Sequence, residues 1–371
     1  MAELKTNQRE LLGNLLKATS RSFYLTLRVL PARVRPQIGL AYLLARTTDT
    51  IADTEILPLA QRLDALQMLR ERILGQNSAP LNFGELARQQ GSPVEKLLLE
   101  KVEDSLALLQ ALSPEDLKLV RAVLATITSG QELDLHRFES GRAGSPLPAA
   151  ELATDARRAR SDAPYQRNIV ALETAAELDD YTYRVAGCVG EFWTKICRAH
   201  LFPNARLDEK QFIQDGIRFG KGLQLVNILR DLPADLKKGR SYLPLEKLRL
   251  VGISPENLLS PESEAKFLPL FREYLDKAES HLRAGWTYTN TLPFGQFRVR
   301  LACAWPILIG MKTIEKLRAA DLMELQQRVK VSRGEVRGIL LRSILACPLP
   351  GAWRKLFPAG GKAVASGGEL A

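Results

Sequence analysis

Apolar residues recur along most of this chain at intervals of three and four. Leu11, Leu12, Leu15 and Leu16 form one stripe. A broader one runs through Leu97, Leu98, Leu99, Val102, Leu106, Leu108 and Leu109, and a third through Leu117, Val120, Val123, Leu124 and Ile127. With 3.6 residues per turn, this spacing gathers each set on one face of an α-helix. Sustained alternation of apolar and polar positions, which marks half-buried strands, is scarce. The pattern predicts an all-α protein.

Proline, glycine and serine punctuate the stripes. Leu57-Pro58 and the segment from Gln76 to Gly84 read as breaks. Ser92-Pro93 and Ser113-Pro114 read as helix starts. A serine hydroxyl can cap the first free amides there, and proline fits a first turn that does not need its N–H. Gly141 to Pro148 is the least helical interior segment, and Phe202 to Asn204 and Gly252 to Glu262 are further connections. No long linker divides the chain. Residues 1–350 are therefore expected to form one helical domain, with the basic, Gly/Ala-rich residues 351–371 as a C-terminal tail.

Composition narrows the partners. The chain has 371 residues, 46% of them hydrophobic, enough for a large core. Its net charge of +10 suits nucleic acid, an anionic membrane or a polyanionic small molecule. Residues 312–371 hold eleven Lys and Arg against five Asp and Glu, so much of the excess sits near the C-terminus. No dense basic stretch interleaved with aromatics, zinc finger or helix-turn-helix signature is present, which disfavours nucleic acid. Cys188, Cys197, Cys303 and Cys347 form no CxxC pair, and His136, His200 and His281 stand far apart. That argues against structural zinc or a disulfide framework and for a reducing compartment. The polar start and the shortness of the longest apolar run, Leu301 to Met311, predict a cytoplasmic protein. Glu335 to Phe357 is basic and partly amphipathic, with Ile339, Leu340, Ile344 and Leu345 apolar and Trp353 and Phe357 near its end. It suits peripheral contact with an anionic membrane and packing on the domain equally.

Two acidic constellations carry the chemistry. Asp49 and Asp53 stand four apart, which puts both carboxylates on one helix face. Asn227, Asp231 and Asp235 repeat the four-residue step. A single such pair is usually a solvated helix face. Two of them in apolar surroundings, each with a nearby arginine (Arg46, Arg230), suit Mg²⁺ shared with phosphate oxygens. Metals and arginines so placed neutralise a diphosphate leaving group as its charge develops. Gly220-Lys221-Gly222 lacks a preceding strand and a third glycine, so it is not a dinucleotide loop.

In order and spacing these motifs resemble the squalene/phytoene synthase family of head-to-head prenyl transferases. Ser20-Arg21-Ser22-Phe23 is similar to its N-terminal signature, Asp49–Asp53 and Asn227–Asp235 to its two aspartate-rich motifs, and Tyr181 to Gly187 to its tyrosine-bearing helix. Gly239-Arg240-Ser241-Tyr242-Leu243-Pro244 resembles the segment after the second motif. The likeness runs from about Ser20 to Gly334. Cys303-Ala304-Trp305-Pro306 and Val329 to Gly334 resemble segments of the squalene branch.

The resemblance implies a single-domain isoprenoid-synthase bundle around a central apolar cavity. It implies condensation of two farnesyl diphosphates through presqualene diphosphate, with Mg²⁺ and NADPH. Arg21, Arg46, Arg230 and Arg240 would hold diphosphate. Asp49, Asp53, Asn227, Asp231 and Asp235 would bind metal, Tyr181 would be catalytic, and Lys330 and Arg333 would meet NADPH phosphates. Phytoene or dehydrosqualene synthesis without reduction, a halt at presqualene diphosphate, and a non-catalytic lipid-binding homologue are the alternatives. The chain departs from the pattern in three places. Ala52 stands where a further acid is expected, Ser332 replaces a basic residue, and Pro233 is expected to disturb the turn that carries Asp235.

Overall fold

A computed structural model describes residues 10–20, 23–54, 56–143, 169–327 and 329–358. They are helical almost throughout. The helices that frame the site are, in chain order, α1 (Arg35–Asp53), α2 (Leu59–Leu74), α3 (Pro114–Ala143), α4 (Ala175–Thr182), α5 (Cys188–Leu201), α6 (Glu209–Lys237), α7 (Glu264–Thr291), α8 (Phe297–Ala319), α9 (Arg333–Ala346) and α10 (Pro350–Arg354). The serine starts form as the sequence predicts. Ser92 accepts from the Glu95 amide, and Ser113 from the Asp116 amide at the head of α3. The break expected at Gly141 falls late: α3 runs through Ala143, and residues 144–148 lie outside the described residues.

The apolar stripes build two packed clusters. The first joins α1, α2, α3 and α5 around Leu43, Leu44, Leu66 and Leu124. The second joins α6, α7, α8 and α9 around Leu229, Phe271, Leu275 and Ile307. Leu301 to Met311 lies in the middle of α8, most of it in this second cluster, while Ala302 and Cys303 face the first. All four cysteines are buried free thiols. No helix among the described residues is long and apolar enough to cross a membrane. Of the expected tail, residues 351–358 pack on the domain, with Trp353 buried and Trp286 stacked on both Trp353 and Phe357 at 5.3 Å, and residues 359–371 lie outside the described residues.

Two features fix α6 beside the tyrosine-bearing segment. Between α4 and α5 the chain makes one π-helical stretch, Tyr183–Gly187, a form that often marks functional sites. The backbones then touch. A Cβ on Gly190 would lie 1.9 Å from the Gly216 carbonyl oxygen, and one on Gly220 would lie 2.1 Å from that of Ala186. Gly220 therefore serves close helix packing. Pro233 does not break α6, which runs unbroken to Lys237, contrary to the disturbed turn expected at Asp235. Proline costs one helical hydrogen bond near the C-terminal end, and burial of Leu232, Pro233 and Leu236 holds the turn.

Candidate active site

Where the two apolar clusters meet, a cavity of about 400 Å³ opens. Ile127 and Leu135 from the first cluster and Phe138, Tyr181 and Tyr242 from the second line it, with Val185 and Val189. Its polar lining comes from three directions. Helix α1 supplies Asp49 and Asp53, α3 supplies Gln131, Asp134 and Glu139, and the end of α6 and its following strand supply Lys238 and Arg240.

Asp49 and Asp53 share one face of α1, as their spacing dictates. Gln131 donates from its amide to Asp49 Oδ1, and Arg46 Nη1 lies 3.7 Å from Asp49 Oδ2. The Asp49 carboxyl is open to the cavity, with 45% of its side chain accessible. Recessed between helices, it is nonetheless poorly solvated. Burial, and then the like charge of Asp53, push it up to about 6 against the pull of Arg46 and Gln131.

Opposite stands a tyrosine pair. The Tyr181 and Tyr242 rings stack at 4.5 Å, and the Tyr242 hydroxyl donates to Asp134 Oδ2 at 2.9 Å. Burial pushes Asp134 up to about 7, although Tyr242, Arg240, Arg137 and Tyr181 all favour its anion. Burial likewise holds Tyr181 well above the usual phenol range, with Asp134 adding to the effect, so its hydroxyl stays protonated. Arg240 donates from Nε to Asp235 Oδ1 at 2.9 Å and lies 5.6 Å from the Tyr242 ring centroid. Asp235 is buried, and that burial raises its carboxyl despite Arg240.

A two-residue parallel bridge sets this wall. After α6, Gly239 at φ 71° turns the chain, and Arg240–Ser241 pairs with Val170–Ala171. A positive φ suits glycine because it has no Cβ to clash. The extended chain presents Arg240 and Tyr242 to the cavity at alternate positions, with Ser241 between them buried.

The expected residues divide accordingly. Asp49, Asp53, Tyr181 and Arg240 line the cavity, and Asp235 is tied to it through Arg240. Arg46 borders Asp49 and also bonds Glu95 at 3.0 Å. Arg230 makes a two-point ion pair with Asp231, at 3.0 and 2.6 Å. Neither they nor Asn227 are among the lining residues; Gln224, one turn before Asn227, is. Arg21 lies outside the described residues. Tyr183, between the lining residues Tyr181 and Val185 but not itself in the lining, donates to Glu191. Lys330 and Arg333 are exposed and away from the cavity. Between them Ser332 caps α9 in a capping box with Glu335, which gives a structural role to the residue that departs from the basic pattern.

Asp134, Gln131 and Lys238 were not anticipated. A signal existed for the first two. On α3 the positions 127, 131, 134, 135 and 138 share one face, and Gln131 and Asp134 interrupt an otherwise apolar stripe. Arg62 and Glu139 form an ion pair at the cavity edge, with Arg62 also held by the Ala52 carbonyl at 3.0 Å.

A cation fits the acidic side. Gln131 Oε1, on the side chain that bonds Asp49, is a buried acceptor without a hydrogen-bond partner, and so is Asp134 Oδ1 next to the tyrosine pair across the same cavity. No group of three or more His, Cys, Asp or Glu among the described residues is arranged to hold a metal by itself. Mg²⁺ needs only one or two carboxylates when phosphate oxygens and water complete its shell.

Comparison with known proteins agrees on the architecture. The squalene/phytoene synthase family profile matches residues 16–335. The phytoene synthase of Thermus thermophilus is 31% identical over 181 residues, covering 49% of this chain and 58% of that protein. Squalene synthase ERG9 of Saccharomyces cerevisiae is 24% identical over 335 residues, covering 89% of this chain and 66% of that protein. The chain thus spans less than two thirds of the length of either relative. Among solved structures, TcSQS with the ligand BPH1237 superposes with a TM-score of 0.71 at 20% identity, covering 95% of this chain and 90% of that one. A dehydrosqualene synthase in complex with ligand gives 0.58 at 21% identity, covering 93% and 97%. At these identities the superpositions speak for the fold, which is the all-α isoprenoid-synthase bundle.

Proposed function

The chain belongs to the squalene/phytoene synthase family of prenyltransferase-type enzymes, and from that premise we propose that it is a squalene synthase, joining two farnesyl diphosphates through presqualene diphosphate and reducing the product with NADPH. One observation carries the coupling chemistry: a single cavity, part apolar and part charged, holds a carboxylate pair on α1 together with a stacked tyrosine pair and an arginine from the far side.

Asp49 and Asp53 would hold Mg²⁺ on one side, with Gln131 orienting Asp49. Asp231 and Asp235, with Asn227, would serve the second side. Bound Mg²⁺ supplies neutralisation of the diphosphate charge. Arg240 and Lys238 would grip phosphate oxygens, and Arg46, Arg230 and Arg21 would add to that field. Ile127, Leu135, Phe138, Val185 and Val189 exclude water from an allylic cation. The stacked faces of Tyr181 and Tyr242 would stabilise that cation. Because the Tyr181 hydroxyl keeps its proton, it donates rather than acts as a phenolate. Protons lost from the coupled product would pass along Tyr181 to the released diphosphate or to Asp134, whose carboxyl near 7 suits exchange at neutral pH.

The NADPH step is supported by the likeness to ERG9 and by two exposed cations, Lys330 and Arg333, beside the α9 cap. When bound, NADPH would supply the hydride. The likeness to a phytoene synthase at higher identity favours a second reading without reduction. Mass spectrometry of products from farnesyl diphosphate and Mg²⁺, with and without NADPH, separates them. Squalene only with NADPH is expected. An identical hydrocarbon in both reactions removes the reduction step, and neither hydrocarbon nor presqualene diphosphate in either removes the coupling.

A further inference from the structure

Helix α9 has two apolar faces. One packs inward: Ile339, Ser343 and Ala346 are buried, with the Trp305 indole donating to Ser343 Oγ at 2.8 Å. The other is open. Leu341, Ile344 and Leu345 are 60%, 49% and 64% exposed at helical spacing, and Leu349, past the helix end, is 58% exposed. Single exposed leucines are ordinary, but a stripe of four on one short segment is not.

Charge surrounds the stripe. From Arg333 to Pro358 the chain carries five basic residues, Arg333, Arg337, Arg342, Arg354 and Lys355, and one acid. That acid, Glu335, is paired with Lys316. Aromatics adjoin the far end. The Arg300 guanidinium lies 5.1 Å from the Trp353 ring and 5.6 Å from the Phe294 ring, and Phe294 is 59% exposed.

The geometry points to the outer face of α9, continued through Leu349 toward Phe294, as a docking surface for an anionic phospholipid bilayer. An apolar stripe rimmed by Arg and Lys, with aromatics at one end, is the pattern of a helix that lies in the interface plane. A second copy of the chain fits worse, because two-fold pairing sets each patch against itself and opposes the two basic rims. The inner face is already filled by Trp305, so the helix docks without leaving the domain. Bilayer contact here is independent of which hydrocarbon the enzyme makes.

The test is co-sedimentation of the full-length protein with vesicles of phosphatidylcholine alone and of phosphatidylcholine with about one third phosphatidylglycerol. Wild type is expected to bind the anionic vesicles, to bind the neutral ones at least tenfold more weakly, and to be released by salt. Leu341→Asp/Leu345→Asp should lose at least tenfold in binding. Arg337→Ala/Arg342→Ala should lose roughly 30-fold on anionic vesicles, at about fivefold per basic residue. These positions are exposed, so both variants should keep the wild-type circular dichroism. Failure of wild type to bind, equal binding to both vesicle types, or undiminished binding by the folded variants would overturn the assignment. So would a wild-type dimer in sedimentation that Leu341→Asp/Leu345→Asp converts to monomer, since a second copy would then own the face.

Discussion

Asp134→Asn replaces a carboxyl with a neutral group of the same shape that can still accept the Tyr242 hydroxyl. In the fold that carboxyl is pushed from 3.8 up to about 7 by burial. The folded protein therefore holds the Asp134 proton more tightly than the unfolded chain does. The resulting stability is complete below about pH 4 and is lost as pH rises through about 7. In full, the shift corresponds to about 4 kcal/mol at pH 8, at 1.4 kcal/mol per tenfold. Asp134 borders an open cavity, so screening reduces the expected cost of its charge to about 2 kcal/mol. Without divalent cations, Asp134→Asn should then be more stable than wild type by about 2 kcal/mol near pH 8 and by less than about 1 kcal/mol near pH 4. Urea denaturation at the two pH values, with slopes compared to check for equal surface exposure, measures this. An equal stability difference at both pH values would refute the buried, proton-holding carboxyl.

Other outcomes follow from the same geometry. Tyr181→Phe should lower kcat by about a hundredfold with little change in KM, read by steady-state product formation, because the hydroxyl matters only as a proton is moved. Tyr242→Phe removes the hydrogen bond that favours the Asp134 anion. It should shift the Asp134 titration upward, seen as an upward move of the acid limb of the kcat profile. For wild type, kcat/KM should fall as pH drops through about 7, where Asp134 takes a proton, and more steeply through about 6, where Asp49 does, and added Mg²⁺ should move the second limb to lower pH. Gly190→Ala forces a methyl against the Gly216 carbonyl and should cost about 3 kcal/mol in urea denaturation.

Much of the fold was legible in the sequence because helix faces are written locally, in intervals of three and four. The Asp49–Asp53 pair was legible for the same reason: four residues on a helix leave no choice of face. Asp134 was not. Its significance comes from Tyr242, more than a hundred positions away, brought over by Gly239 and a bridge too short to leave an alternating pattern. Pro233 misled in the other direction. Its local penalty is real, but packing of Leu232 and Leu236 outweighs one missing hydrogen bond. The outer stripe of α9 shows a further limit. Periodicity reveals apolar faces without saying which one the core takes, and the core took Ile339 while leaving Ile344 and Leu345 outside.

Cooperation of acidic groups from two helices over one diphosphate is measured most directly by pyrophosphate release from farnesyl diphosphate in Mg²⁺. Asp49→Asn and Asp231→Asn, one from each helix, should each lower the rate by about a hundredfold or more while the proteins stay folded. Release at the wild-type rate by either folded variant would contradict it.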